Sequence, residues 1–350
     1  MSKLPIYITF HKLTHWEYWP YQIIYAPIYV LWIYYSIRAK SLFFFNAVNP
    51  TIKNGGFVME SKKKVYDLIP QQYYAKTSLA AKNCTFSTLQ NIISTGGFSY
   101  PLITKPDVGL RGAAVQKIHS FKELKTYHQK ADFDYLIQDF IPFPKEIGIF
   151  YVRYPNKKKG NITGIVAKET LCVVGDGILT VAELIKQIPR FHIQLPKLQM
   201  EFGKELQRIL PKGKQLNLMP YGSHSRGAKF TDISHLATQK LNARIDDICR
   251  QIDGFYYGRL DILCHSIEEL EAGKNFRIVE LNGAKSEPTH IYDPKHSLFF
   301  AWKEIGIHIT HLYNISSLNH KHQNALYLSL RVGVEQLRQH FTENRKIMEF

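Results

Sequence analysis

Cysteine is scarce and unpaired: Cys84, Cys172, Cys249 and Cys264 are scattered over 350 residues with no C-x-x-C spacing. That excludes a zinc ribbon and a disulfide scaffold, and makes a reducing compartment the default. Acidic residues are also in deficit, 29 Asp and Glu against 45 Lys and Arg, for a net charge of +16. Such a balance suits an anionic partner, whether nucleotide, acidic substrate, membrane surface or nucleic acid. The basic residues are dispersed and form no recognition motif, so nucleic acid is not expected. No G-x-x-x-x-G-K-[ST] segment occurs, which excludes a P-loop. Internal repeats and low-complexity tracts are missing too. Trp16, Glu17 and Tyr18 stand where a leader's aliphatic core would begin, so secretion is not expected and the cytoplasm is the expected location.

What is present is enough apolar sequence, 45% of residues, for two or three packed lobes. From Tyr18 to Ile37 the chain is uncharged and aromatic, with Pro20 and Pro27, and Arg38 and Lys40 follow. A straight helix needs about 20 apolar residues to cross a bilayer. Two readings stand for residues 15–45: a segment at the inner face of a membrane, or a soluble aromatic helix packed on the core. Next, Asn54-Gly55-Gly56 predicts a turn and Glu60 to Lys64 open a helix stopped by Pro70, with Lys62-Lys63-Lys64 as a solvated helix face. The stretch "IPQQYYAKTSLAAKN" reads as the start of a second helix. From Tyr100 onward short β runs alternate with turns, a mixed α/β or α+β pattern. Asn324 to Phe341 reads as an amphipathic helix over Leu326, Leu328, Leu330, Val334 and Leu337.

Four places carry chemistry. In "YPLITKPDVGLRGAAVQKI" a strand reaches Lys105 and enters a loop with Gly109 and Gly112, whose N–H groups can fold over phosphates beside an ammonium. In "YLIQDFIPFPKEIGIFYVRYP" a strand meets the Pro142–Pro144 connector, with Glu146 just beyond; backbone groups there suit an adenine edge and the acid suits a ribose. In "YYGRLDILC" and "FRIVELNGAK", Arg259 and Asp261 are two apart, as are Glu280 and Asn282, and a polar connector suits an antiparallel return. One face then holds all four, an oxygen set of the kind that Mg²⁺ prefers. Lastly, "VVGDGILTVAELIKQI" contains a capping box, Thr180 with Glu183, while "PYGSHSRGAKF" supplies a basic loop of His224, Ser225, Arg226 and Gly227 that can cover a transferring phosphoryl group.

The order of these pieces resembles the ATP-grasp superfamily, over roughly Lys76 to Ile307, and within it the carboxylate–amine ligases of the D-alanine–D-alanine ligase and cyanophycin synthetase branch, where "GDG…TV.EL" is matched by Gly175 to Leu184. The resemblance implies two α+β lobes clamping ATP: an N-terminal aromatic region at 1–75, a smaller lobe at 76–145, a larger lobe at 146–310 and a C-terminal helix at 311–350. It implies that Lys105 and Lys76 touch the nucleotide phosphates, that Gln138, Asp139, Phe140 and Ile141 form the adenine hinge, and that Glu146 binds the ribose. Asp261, Glu280 and Asn282 match the ligands of Mg²⁺ (or Mn²⁺), and Arg259 matches the arginine that stabilises the transferring group. Arg226 and His224 are further catalytic candidates; Ser225, Gly227, Lys285 and Glu287 are substrate candidates. The loop "GAKSEPTHIYDP" departs from the family's usual Pro-Gly pattern, so the second substrate is not implied. The expected partners are a small-molecule carboxylate and an amine, with an amphiphilic or lipid-linked substrate, peripheral membrane contact and a homodimer all compatible. A small-molecule kinase on the same scaffold, or a membrane-associated nucleotide-binding module, is the alternative.

Overall fold

Strand periodicity builds a four-stranded and a five-stranded antiparallel sheet, joined where Lys105 of the first meets the Val279 carbonyl of the second. The computed structural model describes residues 6–109, 112–218 and 228–350. In the smaller sheet β1 (Thr77–Ala80), β2 (Leu102–Pro106), β3 (Gln116–Ile118) and β4 (Tyr135–Asp139) run in the order β1-β4-β2-β3. Leu102, Ile118, Tyr135 and Ile137 form a core with Leu89 and Leu124 of the helices Phe86–Thr95 and Phe121–Lys130. Leu102 and Thr104 are buried, and the two-residue period leaves Lys105 on the opposite face.

The larger sheet is formed by β5 (Lys145–Val152) and β6 (Asn161–Glu169) with three later strands. A short ladder of β7 (Cys172–Val174) and β8 (Gln215–Asn217) intervenes, with its own core around Leu171, Val181 and Leu206. The sheet is completed by β9 (Lys229–Asp232), β10 (Tyr257–Cys264) and β11 (Phe276–Asn282), in the order β11-β10-β5-β6-β9. Alternate residues such as Ile147, Ile149, Leu260 and Ile262 pack on Leu241, Ile245 and Ile248 of the helix Gln239–Arg250. The opposite alternation carries Glu146, Lys168, Arg259 and Asp261. The two-lobed α+β architecture implied by the resemblance is therefore the one found.

The aromatic N-terminal run forms the helix Tyr21–Ala39, which lies along the helix Leu298–His322. Ile24, Ile28 and Tyr35 are buried; Trp302 Nε1 donates to the Ile24 carbonyl at 2.8 Å, and Tyr35 and Tyr313 stack at 4.4 Å. Asn49 ties the following segment to β10, its Oδ1 accepting from Tyr256 N at 2.8 Å and its Nδ2 donating to Tyr257 O at 2.8 Å. Among the described residues, no helix is long and apolar enough to cross a membrane.

Three local expectations change. The helix predicted from Pro70 is a 3₁₀ turn, Gln71–Tyr73, followed by β1, because Thr77–Ala80 pairs with β4 and this tertiary pairing outweighs local propensity. The C-terminal helix is Leu330–Met348, capped by Ser329, so Leu326 and Leu328 precede it. Residue 311 falls inside the helix Leu298–His322 rather than at a boundary.

Candidate active site

The β10–β11 register sets Arg259 opposite Asn282 and Asp261 opposite Glu280. The next pair is Ile262 with Ile278, so Val279 is an extra residue, a β-bulge that breaks the ladder locally. The freed Val279 carbonyl turns to the smaller lobe and accepts from Lys105 Nζ at 2.9 Å and from the Tyr66 hydroxyl. Lys105 Nζ also donates to Tyr66 Oη at 2.8 Å and Gln138 Oε1 at 2.9 Å. One ammonium thus bridges the lobes. Burial pushes it down to about 8, against the pull of the Glu280 carboxylate.

Asp261 is buried and grips three cationic donors: Arg259 Nε at 2.9 Å, Arg259 Nη2 at 3.1 Å and Lys168 Nζ at 3.1 Å. Burial pushes its carboxyl up, and Arg259 and Lys168 more than reverse that, leaving it below the ordinary range. Lys168 also reaches Glu146 Oε1 at 2.8 Å. Gly148 makes room for this cluster, since a Cβ there would lie 3.1 Å from Arg259 Cδ and 3.2 Å from Asp261 Oδ1. Burial likewise pushes the Glu280 carboxyl up, but Lys62, Lys105 and Lys285 together hold it low despite repulsion from Asp261. Among the described residues, no hydrogen-bond or ion-pair partner meets the Glu280 carboxylate directly.

Other candidates divide between this centre and its margins. Lys76 bonds the Gly97 carbonyl, sits 3.7 Å from Asp139 and lies over the Phe98 ring. Gln138 turns its amide inward, between Lys105 and Thr77 Oγ1 at 2.8 Å, whereas Asp139 is half-buried at the outer side. Phe140 receives Lys117 Nζ at 3.7 Å from its ring centre, and Ile141 is half-buried beside it. Gly109 is buried and its carbonyl accepts from Lys62 Nζ at 2.8 Å; Gly112 has φ +68° with open space around it. His224, Ser225, Arg226 and Gly227 lie outside the described residues. Thr180 and Glu183 form the expected capping box, away from this centre in the β7–β8 unit.

The loop after Asn282 is fixed by Ala284 N donating to Gly55 O at 2.9 Å, and Lys285 pairs with Glu60. Glu287 accepts from the Tyr25 hydroxyl at 2.5 Å and lies 3.4 Å from that of Tyr292; its carbonyl accepts from Arg259 Nη1 at 3.4 Å. The expectation that Lys62 belongs to a solvated face is overturned: its ammonium is burial-depressed and turned to Gly109, whereas Lys63 pairs with Asp67 on the surface. Sequence reading also missed Lys168, Tyr66 and Tyr25.

Among the described residues no three His, Cys, Asp or Glu side chains converge as a metal site. The oxygen set here is two carboxylates and an amide, hard donors of the type Mg²⁺ takes, and Glu280 is the carboxylate that no described residue meets directly. The donor chemistry therefore fits a divalent ion, with Asp261 shared with Arg259 and Lys168.

No protein-family model and no curated protein matches the chain. Among solved structures it is similar to a bifunctional glutathione synthetase from Pasteurella multocida, at 15% identity over 74% of this chain and 38% of that one, TM-score 0.39. It is also similar to the VanG D-Ala:D-Ser ligase from Enterococcus faecalis, at 10% identity over 73% and 60%, TM-score 0.41. A third is D-alanine–D-alanine ligase from Bacillus anthracis, at 12% identity over 75% and 68%, TM-score 0.40. The chain thus spans less than two thirds of the length of the first two.

Proposed function

We propose that the chain is an ATP-dependent carboxylate–amine ligase that forms an amide-type bond through an acyl phosphate, releasing ADP and phosphate. The observation that supports this reading most is the meeting of Lys105, from the smaller lobe, with the Asp261, Glu280 and Asn282 edge of the larger sheet. Lys62, Lys105 and Lys285 offer cationic charge to a triphosphate lying between the lobes. Asp261, Glu280 and Asn282 would hold Mg²⁺ (or Mn²⁺), and the ion, when bound, supplies charge stabilisation to phosphate oxygens.

A substrate carboxylate oxygen attacks the γ-phosphorus, the bond to ADP breaks, and Arg259 and Lys105 stabilise the charge spread over the equatorial oxygens. The amine then attacks the acyl carbon and loses a proton, and phosphate leaves with the electron pair of the C–O bond. Glu287, held by Tyr25 and Tyr292, accepts a hydrogen bond from the substrate ammonium. Closure of the lobes keeps water from the acyl phosphate. Incubation of the purified protein with ATP, Mg²⁺ and a metabolite extract tests the proposal: mass spectrometry should find a product equal to two metabolites less water, with ADP and free phosphate. A phosphorylated metabolite without free phosphate would show a kinase instead.

A further inference from the structure

The helix Tyr21–Ala39 is apolar on all sides, yet only one side is covered. A helix apolar all round is ordinarily buried in protein or lipid. Its outward positions recur at helical spacing: Ile23 is 53% exposed, Val30 70%, Ile33 55% and Ile37 72%. Leu42 and Leu330 extend this surface across a groove that Lys40 also lines. In the preceding helix Ile6–Thr14, Phe10 and Leu13 are exposed in the same way. Apolar surface of this continuity marks a docking face rather than ordinary scatter.

Charge selects the occupant. Between Glu17 and Glu60 the chain has no acidic residue, while Arg38, Lys40 and Lys53 fall within that span. Glu17 itself is turned inward to Arg190 at 2.6 Å. Arg38 and Lys40 are exposed at the C-terminal end of the helix, and Arg331 follows Leu330 across the groove. A second copy docked through this face would bring like charges together between two chains of +16 each. An anionic lipid surface offers the opposite charge and an apolar layer beneath it.

We infer that this face is a peripheral docking surface for an anionic lipid bilayer, with the helix Tyr21–Ala39 lying in the headgroup plane. The inference is independent of the ligase reading. The test is flotation of the full chain with vesicles of phosphatidylcholine alone or with added phosphatidylglycerol, alongside Val30→Glu/Ile33→Glu and Arg38→Gln/Lys40→Asn. Both variants alter exposed side chains, and circular dichroism checks that each is folded. The chain should float with the anionic vesicles, remain behind with phosphatidylcholine alone, and be released by high salt; both double variants should lose flotation. Failure of the chain to float with anionic vesicles, or flotation of the Val30→Glu/Ile33→Glu variant as strongly as the parent, overturns the inference. So does a dimer in sedimentation that this variant converts to monomer, since that assigns the face to a second copy.

Discussion

Replacing Lys105 by methionine should change the pH dependence of stability in a defined direction. In the folded chain burial lowers this ammonium from 10.5 to about 8, so between those values the unfolded state holds more protons and stability rises with pH. Each tenfold change in proton affinity is worth about 1.4 kcal/mol. The stability lost to this lowered proton affinity is then about 3 kcal/mol near pH 7.5, where Lys105 is mostly charged in both states, and about 1 kcal/mol near pH 10, where it is neutral in the fold. Lys105→Met lacks this contribution at both values, while titrations away from the site are common to both proteins. Urea denaturation followed by tryptophan fluorescence at the two pH values measures the stability of each. Parent stability relative to the variant should increase by about 2 kcal/mol between them. A difference flat with pH would refute the placement of a desolvated ammonium between the lobes.

Other substitutions probe the supports of the site. Gly148→Ala should destabilise by about 1–3 kcal/mol and lower activity, because its methyl would meet Arg259 and Asp261; denaturation curves matching the parent would contradict this. Lys168→Met removes a cation from two carboxylates and should cost about 3–5 kcal/mol. The stability Asp261 contributes is present above the ordinary carboxylate range and lost as pH falls through its depressed value; Lys168→Met should move that acid limb upward, as read by denaturation at stepped pH. Once an amine substrate is in hand, Tyr25→Phe should raise its KM more than it lowers kcat, because Glu287 loses its shortest hydrogen bond.

Much of the candidate site was legible because strand periodicity is local. The spacings Arg259-x-Asp261 and Glu280-x-Asn282, with a polar connector between, sufficed to put four side chains on one face, and the register joins them pairwise. What was not legible depends on docking between distant segments. Tyr25 and Glu287 stand 262 positions apart, and Lys62 looked like part of a solvated run until the helix Lys62–Tyr66 met the loop at Gly109. The bulge at Val279, which turns a carbonyl to Lys105, leaves no mark in the residue pattern. Lys168 had a faint signal, a lysine directly after the apolar run Ile165-Val166-Ala167, and Gly148 had another, a glycine amid β-formers where neighbouring atoms approach closely. The strand Thr77–Ala80 read as helix because its decisive feature is its partner β4.

The most direct measurement is calorimetric titration of ATP into the parent chain and Glu280→Gln, with and without Mg²⁺. The parent should bind ATP more tightly when Mg²⁺ is present, and Glu280→Gln, with unchanged circular dichroism, should lose that enhancement. Magnesium-enhanced binding that survives in the variant, or no binding of ATP by the parent, would contradict a nucleotide site between Lys105 and the β10–β11 edge.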